Sequence, residues 1–373
     1  MKKNLILILI SIIFALIIME VAIRAWIPDK TVIQKPPTSW VIIPEQVWTE
    51  RHPILGWYHE KNKQATLKKG SLQVEINTNS EGFRGVREYQ KKKPSSTIRI
   101  VSLGDSFTFG WGVRDTETYN AQLESRYENL EVLNLGVAGY GVDQFLVAFR
   151  TIGKLFHPDY VFIALFPEDF WRSTRAFTDA GYGKPYFQLI RGKELVLRNV
   201  PVREPAQINY EQFPEVVTRG IAEKILMHSA LYRYIKKKTL RLARDLGWID
   251  PDLTEEWKLG GAILKQLVQE VKEIGAQPLI IIIPPAQWMK NTKPTSIQKS
   301  ILRFGKRKKV DVIDLVPTFI RAVQTSGPFD FYIKDDDHWT AQGHSLTADV
   351  LAQYLEEHRS DLKKAFHADN LTS

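Results

Sequence analysis

Apolar positions along this chain follow three patterns. The first is one long run: Lys2 and Lys3 precede Leu5–Met19, in which Ser11 is the single polar residue. The apolar character continues to Ile27, interrupted by Glu20 and Arg24, which lie four apart and can pair on a helix. A basic start followed by an apolar run predicts a signal-anchor transmembrane helix over 1–27, and no small-residue cleavage site follows it, so the anchor is expected to stay. Lysines on the short side predict a cytoplasmic N-terminus, which leaves the rest of a single-pass chain facing the periplasm or the exterior. The second pattern occupies 28–96. Pro28, Pro36, Pro37 and Pro44 mark a linker to about residue 50, and a small β-rich leader follows, in which Leu72–Thr78 alternates as a strand does.

The third pattern begins near residue 97. Short apolar runs at Ile98–Leu103, Val132–Leu135, Tyr160–Leu165, Pro278–Ile283 and Val310–Leu315 read as buried parallel strands. Segments of helical periodicity follow them at Thr116–Glu128, Val142–Phe156, Leu253–Ile274, Thr295–Gly305 and Ala341–His358. This alternation predicts a doubly wound α/β sheet over 97–358. The aromatic- and Arg-rich stretch 171–250 interrupts it and reads as an insertion over one end of the sheet, and 359–373 is a polar tail.

In such a sheet the ligand site lies beyond the carboxyl ends of the strands, so the residues after each run are the ones to inspect. After the first run stands Gly104-Asp105-Ser106, where a tight turn would expose a hydroxyl at a helix N-terminus. A helix cap is the plainer account of the same tripeptide. After the second comes Gly136–Gly141, whose Gly139 could aim an N–H at Ser106. Before the last helix stands Asp335-Asp336-Asp337-His338, continuing to His344. There His338 can act as a general base held by a carboxylate, with Asp335 the first choice for that partner and Asp336 the second. The cluster can also be read as a solvated turn with His344 packed under the helix, or as a metal site using His338 and His344. Its donors suit a hard or borderline divalent ion, but the spacing matches no recognised metal motif.

Composition narrows the classes. The absence of Cys excludes disulfides, thiol catalysis and Cys-ligated metal. A net charge of +9 would suit nucleic acid, anionic lipid or acidic polysaccharide. The basic residues are scattered in clusters such as Lys91–Lys93 and Lys236–Lys238, with no nucleic-acid-binding motif, so nucleic acid is the weakest of the three. Ten Trp residues suit sugar or lipid contact as well as core.

The order GDSFTFG (104–110), NLGVAGYG (134–141), DDDHWTAQGH (335–344) resembles the SGNH/GDSL hydrolase superfamily. HPILGWYHEKN (52–62) with NTNSEGFRG (77–85) is similar to the leader of its membrane-anchored bacterial members. The resemblance implies a flavodoxin-like three-layer sandwich with about five parallel strands. It implies Ser106 as nucleophile, His338 as base, Asp335 as orienting acid, and the N–H groups of Ser106 and Gly139 as oxyanion donors. It implies ester hydrolysis or acyl transfer on a small ester, lipid or envelope polysaccharide. No metal and no cofactor is expected. One departure stands out. The third block of the family carries an Asn that donates to the oxyanion, and here Phe166-Pro167-Glu168-Asp169-Phe170 holds Glu168 at that place. An ionised carboxylate repels an oxyanion, so another donor such as Trp171 or Arg172 substitutes, Glu168 is protonated, or the activity is weak. A catalytically inactive module that binds glycan or a partner is the alternative. The plainer account of Pro167–Asp169 is the first turn of a helix.

Overall fold

The computed structural model describes residues 2–26, 46–70, 72–178, 182–190, 194–203, 226, 229–245, 254–290 and 293–364. Most of the expected linker, part of the 171–250 stretch and the end of the polar tail lie outside these residues. The chain opens with helix α1 (Lys2–Trp26). Glu20 pairs with Arg24 at 2.7 Å, as the spacing predicts. Glu20 also accepts hydrogen bonds at 2.8 Å from Ser229 Oγ and from the Ala230 and Leu231 N–H groups. Among the described residues no helix is long and apolar enough to cross a membrane. The fold therefore does not support the transmembrane span expected over 1–27, although Leu7, Ile8, Ile10 and Phe14 of α1 are largely exposed.

The leader forms two antiparallel ribbons, β1 (Thr49–His52) with β2 (Gly56–His59), and β3 (Gln64–Lys69) with β4 (Leu72–Asn77). The main domain then alternates strand and helix. Its first half contains β5 (Ile98–Gly104), α2 (Ser106–Phe109), α3 (Tyr119–Glu124), β6 (Leu130–Gly136), α4 (Val142–Thr151), β7 (Tyr160–Leu165) and α5 (Pro167–Arg172). Within 171–250 the described residues form a hairpin of β8 (Tyr186–Ile190) and β9 (Glu194–Arg198), and α6 (Ala230–Asp245). The second half contains α7 (Glu255–Glu273), β10 (Gln277–Ile282), α8 (Ser296–Lys308), β11 (Asp311–Asp314), α9 (Val316–Ser326) and α10 (Ala341–His358).

The five central strands are wholly parallel, in the order β6-β5-β7-β10-β11. This is the expected α/β fold with a five-stranded parallel sheet. Alternate residues of each strand point to opposite faces. Val101, Leu103, Val161 and Ile163 pack under α4, α7 and α8. Ile100, Phe162 and Ile281 pack against α3, α9 and α10. Thr118, Thr254, Thr295 and Thr340 each accept a backbone N–H at a helix start, which stabilises a helix by about 1 kcal/mol. The Thr118 cap explains why α3 begins at Tyr119 rather than Thr116. Between β5 and β7 the strand order reverses, which opens a crevice at their carboxyl ends.

The leader covers that end. Trp48, Leu67 and Ile76 pack on Phe109, Trp111 and Ala138, which belong to the loops after β5 and β6. The Trp48 and Phe109 rings stack at 5.4 Å. His59 lies buried on Phe109, with its Nδ1 2.9 Å from the Gly82 carbonyl. Burial outweighs that carbonyl and, with Arg84 nearby, pushes the His59 pKa down to about 4. Burial likewise brings His344 down to about 3, helped by Arg84 and His338. Both rings bind a proton below about pH 6.5 only when unfolded, so folding stability falls as pH drops from there and levels off near their folded values. Urea denaturation should show a loss on the order of 5 kcal/mol between pH 7 and 4 from the pair. The loss should be smaller in His344→Asn, whose amide oxygen can still accept the Tyr119 N–H.

Candidate active site

The crevice begins where β5 stops. A Cβ on Gly104 would come within 2.0 Å of Thr108 Oγ1, so the close return of the chain requires Gly there. Asp105 then caps α2 by accepting the Phe107 N–H at 3.0 Å. Ser106 occupies the first position of α2, where an N–H has no carbonyl of its own helix to bind. Gly139, on the loop after β6, has a φ of 80° that disfavours other residues.

His338 arrives from the turn before α10. Its Nε2 lies 2.7 Å from Ser106 Oγ. The Phe107 and Trp111 rings flank the imidazole, at centroid distances of 5.0 and 5.6 Å. Its Nδ1 contacts Asp336 Oδ1, which also accepts the His338 backbone N–H at 2.9 Å. The second oxygen, Asp336 Oδ2, accepts from Lys69 Nζ at 3.0 Å. Burial alone would raise the Asp336 pKa, but His338 and then Lys69 hold the carboxyl well below the usual carboxylate range. Ser106, His338 and Asp336 thus form a continuous line. The first-choice acid, Asp335, is corrected by this geometry. Asp335 turns the chain at φ 60° and is exposed, while the Asp336 N–H closes the turn on the Ile333 carbonyl at 3.0 Å. That turn brings the carboxylate two residues before the imidazole under the ring, in place of the one three residues before it.

His344 does not join this line. It is buried, stacks on Tyr119, and its Nδ1 accepts the Tyr119 N–H at 3.2 Å, which is the packing role the sequence also allowed. Among the described residues no group of three His, Asp or Glu side chains could hold a metal ion.

The third strand end carries the departure. Pro167 opens α5 and Glu168 sits in its first turn, 60% exposed. Its carboxylate is drawn toward Arg172 Nη2 at 3.5 Å. Asp169, by contrast, is buried and accepts the Phe166 N–H at 2.8 Å. Arg172 Nη1 donates to Asp169 Oδ1 at 2.8 Å, to Asp105 Oδ2 at 2.9 Å and to the Tyr140 carbonyl at 3.2 Å. Burial opposes the Arg172 charge, but Asp105 and Asp169 outweigh it and hold the guanidinium above its usual range. Burial, and then the Asp105 charge, push Asp169 well above the ordinary carboxylate range. Beside Gly139 opens a cavity of about 320 Å³, with Trp57, Trp171, Tyr182, Glu168 and Arg172 in its wall.

The profile of the GDSL-like lipase/acylhydrolase family matches residues 102–346, about two thirds of the chain. The chain belongs to this family. No curated protein matches it. Solved structures that resemble it include Axe2, an acetylxylan esterase from Geobacillus stearothermophilus, at 15% identity and TM-score 0.40, covering 71% of this chain and 96% of that one. The lipase/acylhydrolase from Enterococcus faecalis matches at 15% identity and TM-score 0.39, covering 73% and 100%. LAE5, an alpha/beta hydrolase from the metagenome of Lake Arreo, matches at 13% identity and TM-score 0.40, covering 71% and 97%.

Within this GDSL-like domain, Ser106, Gly139 and His338 stand near strand and helix ends, as their places in the sequence predict, and the fold brings Ser106 and His338 together. Lys69 and the flanking rings of Phe107 and Trp111 carry no such signal, because nothing in their local pattern marks a site. The acid assignment is testable with a fluorophosphonate, which reacts with an activated serine. Asp336→Asn should slow labelling by roughly 10³- to 10⁴-fold, while Asp335→Asn labels at nearly the original rate.

Proposed function

We propose that this chain is a serine esterase or acyltransferase that works through a covalent acyl-enzyme. The observation that carries the reading is the 2.7 Å contact between Ser106 Oγ and His338 Nε2, continued at Nδ1 by Asp336. With Nδ1–H donated to Asp336, Nε2 accepts the Ser106 proton as Oγ attacks the ester carbonyl. The negative charge of the tetrahedral intermediate falls to the N–H groups of Ser106 and Gly139. Its collapse expels the alcohol, which takes the proton back from His338, and leaves an acyl-serine. Water then gives an esterase, and a sugar hydroxyl gives a transferase. The aromatic wall of the cavity beside Gly139, with Glu168 and Arg172 as polar groups, favours an acylated glycan, since rings stack on sugar faces while carboxylate and guanidinium hold hydroxyls.

Glu168 favours a second reading, a binding module with little turnover. Lacking the Asn amide, the oxyanion site keeps two donors, and one missing donor typically costs about 10²- to 10³-fold in rate. Fluorophosphonate labelling and nitrophenyl acetate hydrolysis by the full chain separate the two readings. Catalysis predicts slow turnover lost in Ser106→Ala and His338→Ala, and raised roughly 10-fold or more in Glu168→Asn. Glycan binding with no Ser106-dependent turnover in either the natural chain or Glu168→Asn would instead establish the binding module.

For location, we infer that α1 sits in lipid with the hydrolase domain outside the cytoplasm. The exposed Leu7, Ile8, Ile10 and Phe14 side chains and the basic start support this reading, because water disfavours so large an apolar patch. The full chain should stay with membranes through alkaline carbonate extraction. Release into the supernatant would refute it.

A further inference from the structure

The cation behind the relay comes from outside the GDSL-like domain. Lys69 is the last residue of β3, and the turn at Gly70, φ 60°, follows it. Six residue pairs join β3 to β4. Leu67 and Ile76 of this hairpin are buried against Phe109 and Trp111, and Asn77 Nδ2 donates to Asp115 Oδ2 at 2.7 Å. The backbone at Lys69 is therefore fixed relative to the catalytic loops. Its side chain crosses Trp111, with Nζ 5.8 Å from the ring centroid, and ends 3.0 Å from Asp336 Oδ2. Asp336 is 9% exposed, so little water reaches its carboxylate.

We propose that Lys69 is a positioning residue of the relay. Its ammonium holds Asp336 Oδ2, so that Oδ1 stays on the His338 imidazole, and the leader is thereby part of the active site. The inference rests on the relay reading above. A carboxylate with one oxygen unheld can rotate about its Cβ–Cγ bond and lose the geometry that keeps Nε2 aimed at Ser106. Other charges face the pair. Lys334, Asp335 and Asp337 flank it on its own turn, and His344 of α10 lies within electrostatic reach of His338 and of Arg84 of the leader. Among the described residues, Lys69 is the Lys or Arg that pairs with Asp336. Its side chain is 51% exposed, so solvent screens part of its effect.

Two readouts on the full chain in detergent test this. The first is the downfield NMR signal of the His338 Nδ1–H that Asp336 accepts, assigned by its loss in His338→Gln. Lys69→Met keeps the apolar stem over Trp111 and removes the charge, so this signal should broaden or vanish, and Lys69→Arg should restore it. The second is the fluorophosphonate labelling rate of Ser106, which should fall roughly 3- to 10-fold in Lys69→Met and recover in Lys69→Arg, with thermal unfolding unchanged. An unchanged signal in Lys69→Met overturns the proposal, and so does a Lys69→Arg variant that behaves like Lys69→Met. A slower rate with an unchanged signal assigns Lys69 to hairpin docking alone. If the natural chain fails to label at Ser106, the esterase reading falls, and the NMR signal still decides the role of Lys69.

Discussion

The guanidinium of Arg172 sits where three strand ends meet. It binds Asp105 after β5, the Tyr140 carbonyl after β6 and Asp169 after β7. Asp105 and Asp169 are fully buried, and two carboxylates held close together without a cation between them would repel each other and lose their hydration. Breaking such a buried arrangement by removing one partner costs on the order of 3–5 kcal/mol. The energy falls on the part of the molecule that must be rigid. Asp105 caps the turn that presents Ser106, and Tyr140 follows Gly139. Arg172 thus ties together the turn that carries Ser106, the glycine loop and the helix that carries Glu168.

On that base the line of Ser106, His338, Asp336 and Lys69 is assembled from parts of the chain that have no local reason to meet. Ser106 and His338 are 232 residues apart, and Lys69 and Asp336 are 267 apart. Aromatic rings from α2 and the following turn enclose the imidazole and lower the local dielectric, which strengthens each charge–dipole contact along the line. The same burial would be costly for unpaired groups. Both ends of the line are accordingly paired, with half-exposed Lys69 on Asp336 at one end and nearly buried Ser106 on His338 at the other. Glu168 fits the same logic. A charge opposite an oxyanion is harmful when desolvated, and this one is largely hydrated and leans toward Arg172.

Periodicity carried much of the fold. Five mainly apolar runs bounded by turn residues match the five parallel strands, because strands buried on both faces, as β5, β6 and β7 are, carry mostly apolar residues; the edge strand β11 is only partly buried. The missed elements are those whose pattern is mixed. Helix α9 (Val316–Ser326) was hidden because it follows β11 after only Leu315. The hairpin β8–β9 was hidden because beyond the buried Tyr186 and Phe187 its residues are only partly buried or exposed, which leaves a mixed pattern. Within α1, the apolar run was legible as a helix, while its contact with Ser229 and α6 was not.

The alternation of strands and helices, the Ser and Gly at strand ends and the His before the last helix were determined by the sequence alone, since each is a matter of neighbours within a few residues. Which carboxylate serves the imidazole was not. Three consecutive Asp residues are chemically equivalent in a sequence, and a left-handed backbone at Asp335 selects Asp336. That Glu168 is exposed and drawn toward Arg172, and that a hairpin lysine stands behind the acid, were likewise decided only in three dimensions. Those outcomes depend on loop conformation and on packing between distant segments, where small differences in backbone angle redirect a side chain by several ångströms.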